Sequence, residues 1–430
     1  MYHISHACRL VPPQAWRRLP AGADGGMRRA GHLPSPVGLW ETSWQAHTGS
    51  RVIARFPGVD RVRVGGPRKM NIAVACGGTG GHTVPGIATA DVLRGRNHAV
   101  TLWLGGRDVE SLSAGSWDGP VRRVAARGLS GGAVGRSAAV LKIAPAVLRS
   151  HRFLTLDGTE VLLAMGSYAS VGPVLGAWTR GTPVVLHEAN AKPGRAVMLL
   201  SRFARVVALA SGHDDTSWCR TRTTVVGLPL RACFSVAACS PRPSDHSFTI
   251  LVSGASQGAR ALNELLPAAI GMVKERGHAV RVIHLAGRGN AAAVRAAYAV
   301  RNIPHEVHGF LADIAEAYRA ADLAVARAGA STCAELAACG LPALLVPYPY
   351  AAGDHQMANA RALERMGGVD VVRQSQLSSE RIAEYVVDCI KRPERIAGMR
   401  RAMVRAAVPD ASERLADLVE KVGAREDADL

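Results

Sequence analysis

From Met70 onward, short runs of Val, Ile, Leu and Ala alternate with longer stretches whose apolar residues recur at helical spacing. The short runs predict buried strands near 71–76, 98–104, 160–164, 183–187, 205–210 and 223–227. Helices are predicted near 84–95, 137–150, 171–180 and 194–203. The alternation breaks over 235–247, where Pro241-Arg242-Pro243-Ser244-Asp245 reads as a linker, and then restarts. Strands are expected near 248–253, 279–286, 323–326, 342–346 and 369–372, and helices near 260–276, 290–300, 313–321, 332–339, 355–366 and 379–391. The tail from Pro393 to Gly423 reads as helical throughout. The pattern is that of an α/β protein with two Rossmann-like doubly wound sheets, in domains spanning 70–234 and 248–407.

Composition supports two cores, because 430 residues at 48% hydrophobic content exceed what one domain needs. Eight cysteines without a Cys-x-x-Cys pair point to reduced thiols in the cytoplasm. No apolar run approaches the 18 or more residues of a spanning helix, and no signal-peptide pattern opens the chain. Net charge is +18, and residues 1–69 carry 11 Lys/Arg against 3 Asp/Glu. That stretch, with Trp16, Trp40, Trp44 and Leu33-Pro34-Ser35-Pro36, has little periodic pattern, so it is expected to be largely disordered. Met70, one residue before the first strand, is the expected start of translation; peptides from residues 1–69 in the native protein would contradict this.

Two glycine-rich turns mark the chemistry. Gly77-Gly78-Thr79-Gly80-Gly81-His82 and Gly254-Ala255-Ser256-Gln257-Gly258-Ala259-Arg260 each follow a strand and open a helix, where backbone N–H groups can approach a phosphate. A single such turn can serve only to make the corner, but two in tandem favour an anion-handling cleft. Neither contains the Gly-Lys-Ser/Thr of a P-loop, and the first departs from the Gly-x-Gly-x-x-Gly dinucleotide pattern. A third turn, Arg327 to Glu335, admits two readings: Thr332 and Glu335 have capping-box spacing, and a carboxylate there can also take a pair of ribose hydroxyls. On that cluster alone the cap is the simpler reading. Met165-Gly166-Ser167-Tyr168-Ala169-Ser170 and His187-Glu188-Ala189-Asn190 fall on the same rim as the first turn, although His187 and Glu188 could merely satisfy one another.

In this order the clusters resemble the MurG family, the undecaprenyldiphospho-muramoylpentapeptide N-acetylglucosaminyltransferases of bacterial cell-wall synthesis. The resemblance runs from about Met70 to Gly423. It rests on Gly-Gly-Thr-Gly-Gly-His at 77–82, Gly-Ser-Tyr-x-Ser at 166–170, His-Glu-x-Asn at 187–190 and Gly-Leu-Pro-Leu-Arg at 227–231. It continues through Ser-Gln-Gly-Ala-Arg at 256–260, Arg-x-Gly-Ala-x-Thr at 327–332 with Glu335, and Asp-His-Gln-x-x-Asn-Ala at 354–360. Val84, where many members place phenylalanine, and Ser-Gly-Ala-Ser at 253–256 in place of Gly-Gly-Ser are departures; Ala255 could narrow the clearance for a phosphate.

The resemblance implies a GT-B fold whose C-terminal helix, about 408–423, packs back on the N-terminal domain. It places UDP-N-acetylglucosamine in the C-terminal half. There the Leu311 backbone would meet uracil, Glu335 the ribose, and Ser256, Gln257 and Gly258 with Ala330, Ser331 and Thr332 the diphosphate. Gln356 and Asn190 would contact the sugar, and Arg231 the donor near the hinge. The lipid-linked acceptor, lipid I, would lie in the N-terminal half against Thr79, Gly80, Gly81 and Tyr168. His82 is the candidate base, as a histidine titrating in the useful range, with Glu188 behind it. Neither metal nor cofactor is expected: there is no Asp-x-Asp turn, and Asp214-Asp215 reads as solvated.

A membrane-bound acceptor accounts for the basic charge better than nucleic acid, for which no helix-turn-helix, zinc-finger or RNA-recognition pattern is present. Ile143, Val147, Leu148 and Phe153, set among Lys142, Arg149 and Arg152, form a candidate surface for an anionic leaflet, which would make the protein peripheral at the cytoplasmic face of the inner membrane. A core-facing helix with a basic edge is the competing reading. The alternative activity is that of a GT-B sugar-nucleotide epimerase such as UDP-N-acetylglucosamine 2-epimerase, which would turn over the donor without an acceptor.

Overall fold

A computed structural model describes residues 68–430 apart from 79, 107–116, 125–134, 213–214, 235–246, 255–257, 312–313 and 427–430. The described residues lie in one compact unit, Gly65–Leu430. The expected leader through residue 67, the linker except Ser247, and Asp214 lie outside them.

The first sheet contains β1 (Asn71–Ala75), β2 (Ala99–Leu104), β3 (Val121–Arg123), β4 (Val161–Ala164), β5 (Val184–Glu188), β6 (Val206–Leu209) and β7 (Arg222–Val225). Their order is β3-β2-β1-β4-β5-β6-β7, and every pairing is parallel. The second contains β8 (Phe248–Ser253), β9 (Val280–Leu285), β10 (His305–His308), β11 (Leu323–Ala326), β12 (Ala343–Leu345) and β13 (Val369–Val371), ordered β10-β9-β8-β11-β12-β13 and again parallel. Helices cover both faces: α1 (Gly80–Gly95), α2 (Gly135–Leu156), α3 (Val171–Arg180) and α4 (Arg195–Leu200) in the first half. The second half supplies α5 (Arg260–Glu275), α6 (Ala291–Ala299), α7 (Ile314–Ala320), α8 (Ala330–Ala338), α9 (His355–Arg365), α10 (Ser379–Lys391), α11 (Pro393–Ala406) and α12 (Ala411–Ala424).

Strand periodicity divides each core in two. Ile72 and Val74 of β1 enter one cluster while Ala73 and Ala75 enter the other. In β8, Ile250 and Val252 face one way and Leu251 the other. Each fully buried Val, Leu or Ile contributes on the order of 1.5–3 kcal/mol, so apolar runs without a polar face are what a sheet covered on both sides requires. Strand order reverses between β1 and β4 and again between β8 and β11, opening a crevice at the carboxyl ends of each pair. The four turns singled out in the sequence, beginning at 77, 166, 254 and 327, follow those four strands.

Four elements differ from expectation. β3 and β10 escape the apolar pattern because they are short edge strands with polar content, His305-Glu306-Val307-His308 in the second case. α1 starts at Gly80 rather than 84, which puts His82 on the first helical turn, where Thr83 Oγ1 donates to Cys76 O at 2.9 Å. The C-terminal tail is interrupted: Ala407 is extended at φ −69°, ψ 143°, and Val408 precedes Pro409, which disfavours helix in the residue before it. The break lets α12 turn back onto the first half, where Leu415, Val419 and Val422 join the cluster of Ile72 and Val74. Arg96 pairs with Asp417 and Glu420, and the His98 ring meets Glu420 at 2.8 Å.

Gly258 closes the second crevice with φ +72°, and a Cβ there would stand 2.2 Å from the Ala286 carbonyl oxygen. Gly258→Ala is therefore expected to destabilise the protein by roughly 2–4 kcal/mol, combining backbone strain with a contact against unyielding main chain. Urea unfolding would read it as a lower midpoint; an unchanged midpoint would contradict the geometry.

Candidate active site

On the first crevice, the His82 ring lies over two glycines from different turns. A Cβ on Gly78 would be 3.9 Å from His82 Nδ1, and one on Gly166 3.9 Å from His82 Cδ2. Those are ordinary contact distances; what requires glycine is the positive φ at both positions, +125° and +80°, and at Gly78 the Ser167 hydroxyl, which would stand 2.5 Å from a Cβ. Burial, and the nearby charge of His355 on α9, push the His82 imidazole down to about 4. This corrects the expectation of titration in the useful range: the free enzyme holds His82 neutral because its charged form is poorly solvated.

His187 and Glu188 do not satisfy one another. The buried His187 ring donates from Nε2 to Gly227 O at 3.1 Å, and burial likewise lowers it to about 4. The Glu188 carboxylate, 3% exposed, accepts from Asn190 N at 2.9 Å, Asn190 Nδ2 at 3.0 Å and Gly194 N at 2.8 Å. It staples the loop that leads into α4. A side chain with both oxygens so engaged is placed to hold a loop, which sets it apart from the role of second base.

Asn359 joins the halves, and the sequence reading gave it no role. Its Oδ1 accepts from Ala191 N at 2.8 Å, and its Nδ2 donates to Asn190 Oδ1 at 3.2 Å and Ala328 O at 3.1 Å. The available signal was its place in the Asp-His-Gln-x-x-Asn-Ala cluster, four residues after His355 on one helical face. Asp354 and Gly353 before it adopt left-handed backbone, φ +59° and +67°, and so aim the start of α9 toward the first half.

On the second crevice, α8 opens at Ala330 with extended Gly329 as its N-cap. The capping-box reading of Thr332 and Glu335 is therefore incorrect, since Thr332 lies inside the helix. Cys333 N makes the first intrahelical bond, to Gly329 O at 2.9 Å, so the amides of Ala330, Ser331 and Thr332 point out of the helix end. Ser331 Oγ is buried there without a partner among the described residues. Together they form an anion seat at the positive end of the helix dipole.

Glu335, one turn further along α8, is half-buried. Tyr318 OH donates to its Oε2 at 2.9 Å, and Arg231 lies near enough to favour its ionised form. Burial outweighs both and raises the carboxyl to about 7. Arg231 also lies over the Phe234 ring, 5.6 Å from its centroid, in the segment leaving the first half. Gln356 uses Oε1 to accept from Tyr348 N at 2.9 Å, leaving its amide hydrogens as the donating group. Leu311 is partly buried against the second-half core, and Tyr168 is 45% exposed on the first rim. Thr79, Ser256 and Gln257, and with them Ala255, lie outside the described residues. Arg327 is structural: its guanidinium donates to Val346 O at 3.0 Å and Gln374 Oε1 at 2.6 Å.

Between α1 and α8 lies a mostly apolar cavity of about 800 Å³. Val84, Ile87, Ala88 and Asp91 line one wall and Ala330, Cys333, Ala334 and Ala337 the other, with segments 228–234 and 406–409 closing the hinge side. Arg231, Ala330 and Asn359 are shared with the site, whereas His82, Glu335 and Gln356 stand outside the cavity wall.

Two Rossmann-like halves, each with glycine turns after the two strands at which its sheet order reverses, have the architecture of the GT-B glycosyltransferases. Residues 72–209 match the glycosyltransferase family 28 N-terminal domain and residues 249–415 its C-terminal domain. A UDP-N-acetylglucosamine--N-acetylmuramyl-(pentapeptide) pyrophosphoryl-undecaprenol N-acetylglucosamine transferase of Aeromonas hydrophila is 38% identical over 351 residues, covering 80% of this chain and 95% of that protein. The crystal structure of MurG from Acinetobacter baumannii superposes with a TM-score of 0.68 at 29% identity, over 82% of this chain and 99% of that one. The chain belongs to the MurG family. A UDP-N-acetylglucosamine 2-epimerase structure, at 13% identity and a TM-score of 0.58 over 84% of this chain and 98% of that one, shares the fold alone.

Proposed function

We propose that this enzyme transfers N-acetylglucosamine from UDP-N-acetylglucosamine to undecaprenyl-pyrophosphoryl-N-acetylmuramyl-pentapeptide, lipid I, giving lipid II. The observation that carries this reading is the juxtaposition, through Asn359 and Asn190, of a helix-end anion seat with Glu335 on one half and His82 in its glycine cradle on the other. Glu335 takes the ribose hydroxyls, the α8 amides and Ser331 take the diphosphate, and Gln356 with Asn190 fixes the sugar. Arg231 and Leu311 complete the donor side. Gly80, Gly81 and Tyr168 face the acceptor.

The acceptor 4-hydroxyl attacks the anomeric carbon; its oxygen forms the new bond as the bond from C1 to the diphosphate oxygen breaks. UDP leaves with that electron pair, its growing charge held by the α8 end and Arg231. The hydroxyl proton passes to His82. The donor diphosphate, once bound nearby, raises the basicity of an imidazole that is neutral in the free enzyme. Direct displacement inverts the α-linked donor to a β1→4 product without a metal ion. Proton NMR of the product tests this: a β-anomeric coupling formed in EDTA is expected, and an α-linked product or abolition by EDTA would contradict the mechanism.

The reading also places the enzyme peripherally on the cytoplasmic face of the inner membrane. No helix among the described residues is long and apolar enough to cross a membrane. Two of the four residues of the expected apolar set turn inward: Ile143 and Phe153 pack on the core, and Phe153 meets Trp103 edge-on at 5.9 Å. Of that set Leu148 is exposed (70%), and outside it Trp178 (59%), Met198 and Leu199 are exposed too. Arg149 and Arg152 are exposed on α2 with Leu148, while Trp178 packs on Phe203 at 5.3 Å, and exposed Arg202 lies over that same ring at 6.0 Å. Combining Leu148→Glu with Trp178→Glu is expected to weaken binding to anionic liposomes roughly tenfold without altering the melting temperature. Undiminished sedimentation with liposomes would remove this surface from the account.

A further inference from the structure

Tyr318 on α7 is 2% exposed amid apolar neighbours, yet its hydroxyl is directed at the Glu335 carboxylate. A phenylalanine would fill the same space without bringing a hydroxyl into the core, where it must be hydrogen-bonded to avoid a penalty. One edge of its ring meets Phe234, with centroids 5.5 Å apart at 88°, and Phe234 belongs to the 3-10 turn Ala232–Phe234 directly after Arg231. The tyrosine is thus wedged between the segment leaving the first half and the carboxylate of the second.

We infer that Tyr318 is a positioning residue for donor binding: by holding Oε2 of Glu335 at 2.9 Å it fixes the carboxylate plane and presents Oε1 to the ribose diol. The inference rests on the reading of Glu335 as the ribose ligand. The groups facing that carboxylate are Tyr318 from α7, Arg231 from the hinge segment and Cys333 from α8 itself. Burial keeps the Cys333 thiol up at about 12 and raises the Tyr318 phenol, so both stay neutral across the working range. Glu335 is then the member of this group that changes charge near neutrality. Its ionised form accepts two hydroxyl hydrogens, so donor KM rises as pH falls through the Glu335 midpoint. The tyrosine hydrogen bond favours that ionised form, and removing it moves the midpoint upward.

Tyr318→Phe keeps the ring and its contact with Phe234. It is expected to raise the KM for UDP-N-acetylglucosamine about tenfold, leave kcat unchanged and shift the pH midpoint of KM upward, with the melting temperature preserved. Because the tyrosine acts through Glu335, Tyr318→Phe should add nothing in a Glu335→Gln background. A Tyr318→Phe enzyme with unchanged KM and unchanged midpoint, or one whose effect persists in full beside Glu335→Gln, would overturn the inference. If Glu335→Gln alone leaves donor KM unchanged, the ribose assignment falls and the inference with it.

Discussion

His82→Ala is expected to lower kcat about a thousandfold while leaving the donor KM within a few-fold of the parent. A positioned proton acceptor contributes on the order of 10² to 10⁴ in rate, and no donor contact is assigned to this ring. The loss should not come from unfolding, because the helix start is held by Thr83 on Cys76 and by the glycine packing around it. The pH dependence carries the sharper signature. Burial and His355 hold His82 at about 4, so its base form is present throughout the range above that value. In kcat/KM, which reports the free enzyme, the limb from this group therefore appears only as pH falls through about 4. An ordinary surface histidine would place it near 6.5. A limb near 6.5 that disappears in His82→Asn would show that the ring is better solvated than its packing indicates.

Glu335→Ala is expected to raise the donor KM about a hundredfold with a much smaller change in kcat. Two hydrogen bonds to a charged acceptor account for that magnitude, since each contributes on the order of 1.5–3 kcal/mol and part is recovered by water. Donor KM of the parent should also rise as pH falls below about 7, where the buried carboxyl takes up a proton. The sign follows from burial, which favours the neutral acid and so raises the group from its ordinary value. A donor lacking the ribose 2′-hydroxyl should lose most of its discrimination between parent and Glu335→Ala. Equal discrimination in both proteins would separate Glu335 from the ribose.

Most of the fold was legible because both sheets are buried on two faces, which leaves strands such as Val161–Ala164 with no polar position to blur the pattern. β10 was not, because an edge strand half open to solvent can carry His305-Glu306-Val307-His308. The glycine turns were legible as punctuation and proved to flank the two points where strand order reverses. What a carboxylate does was harder to read. Glu188 ends a strand and Glu335 lies on the helix after one, but only three-dimensional packing shows one stapling its own loop and the other meeting a tyrosine seventeen residues away. The Thr332–Glu335 spacing imitated a cap because local spacing cannot report that the helix starts at Ala330. Asn359 and Tyr318 act between segments separated in sequence; the 354–360 cluster marked the first without its role, and nothing local marks the second. In α2 the apolar set was correctly seen but its outward face was not, since Ile143 and Phe153 turn to the core and leave Leu148 exposed.

The most direct test is transfer of labelled N-acetylglucosamine from its UDP donor to a short-chain lipid I analogue, with EDTA present. The account predicts a labelled disaccharide-lipid product that requires the acceptor, and none from His82→Ala on the same timescale. Release of free or epimerised sugar from the donor with no acceptor, and no labelled lipid when acceptor is supplied, would contradict it and turn the same anion seat into the phosphate site of an epimerase.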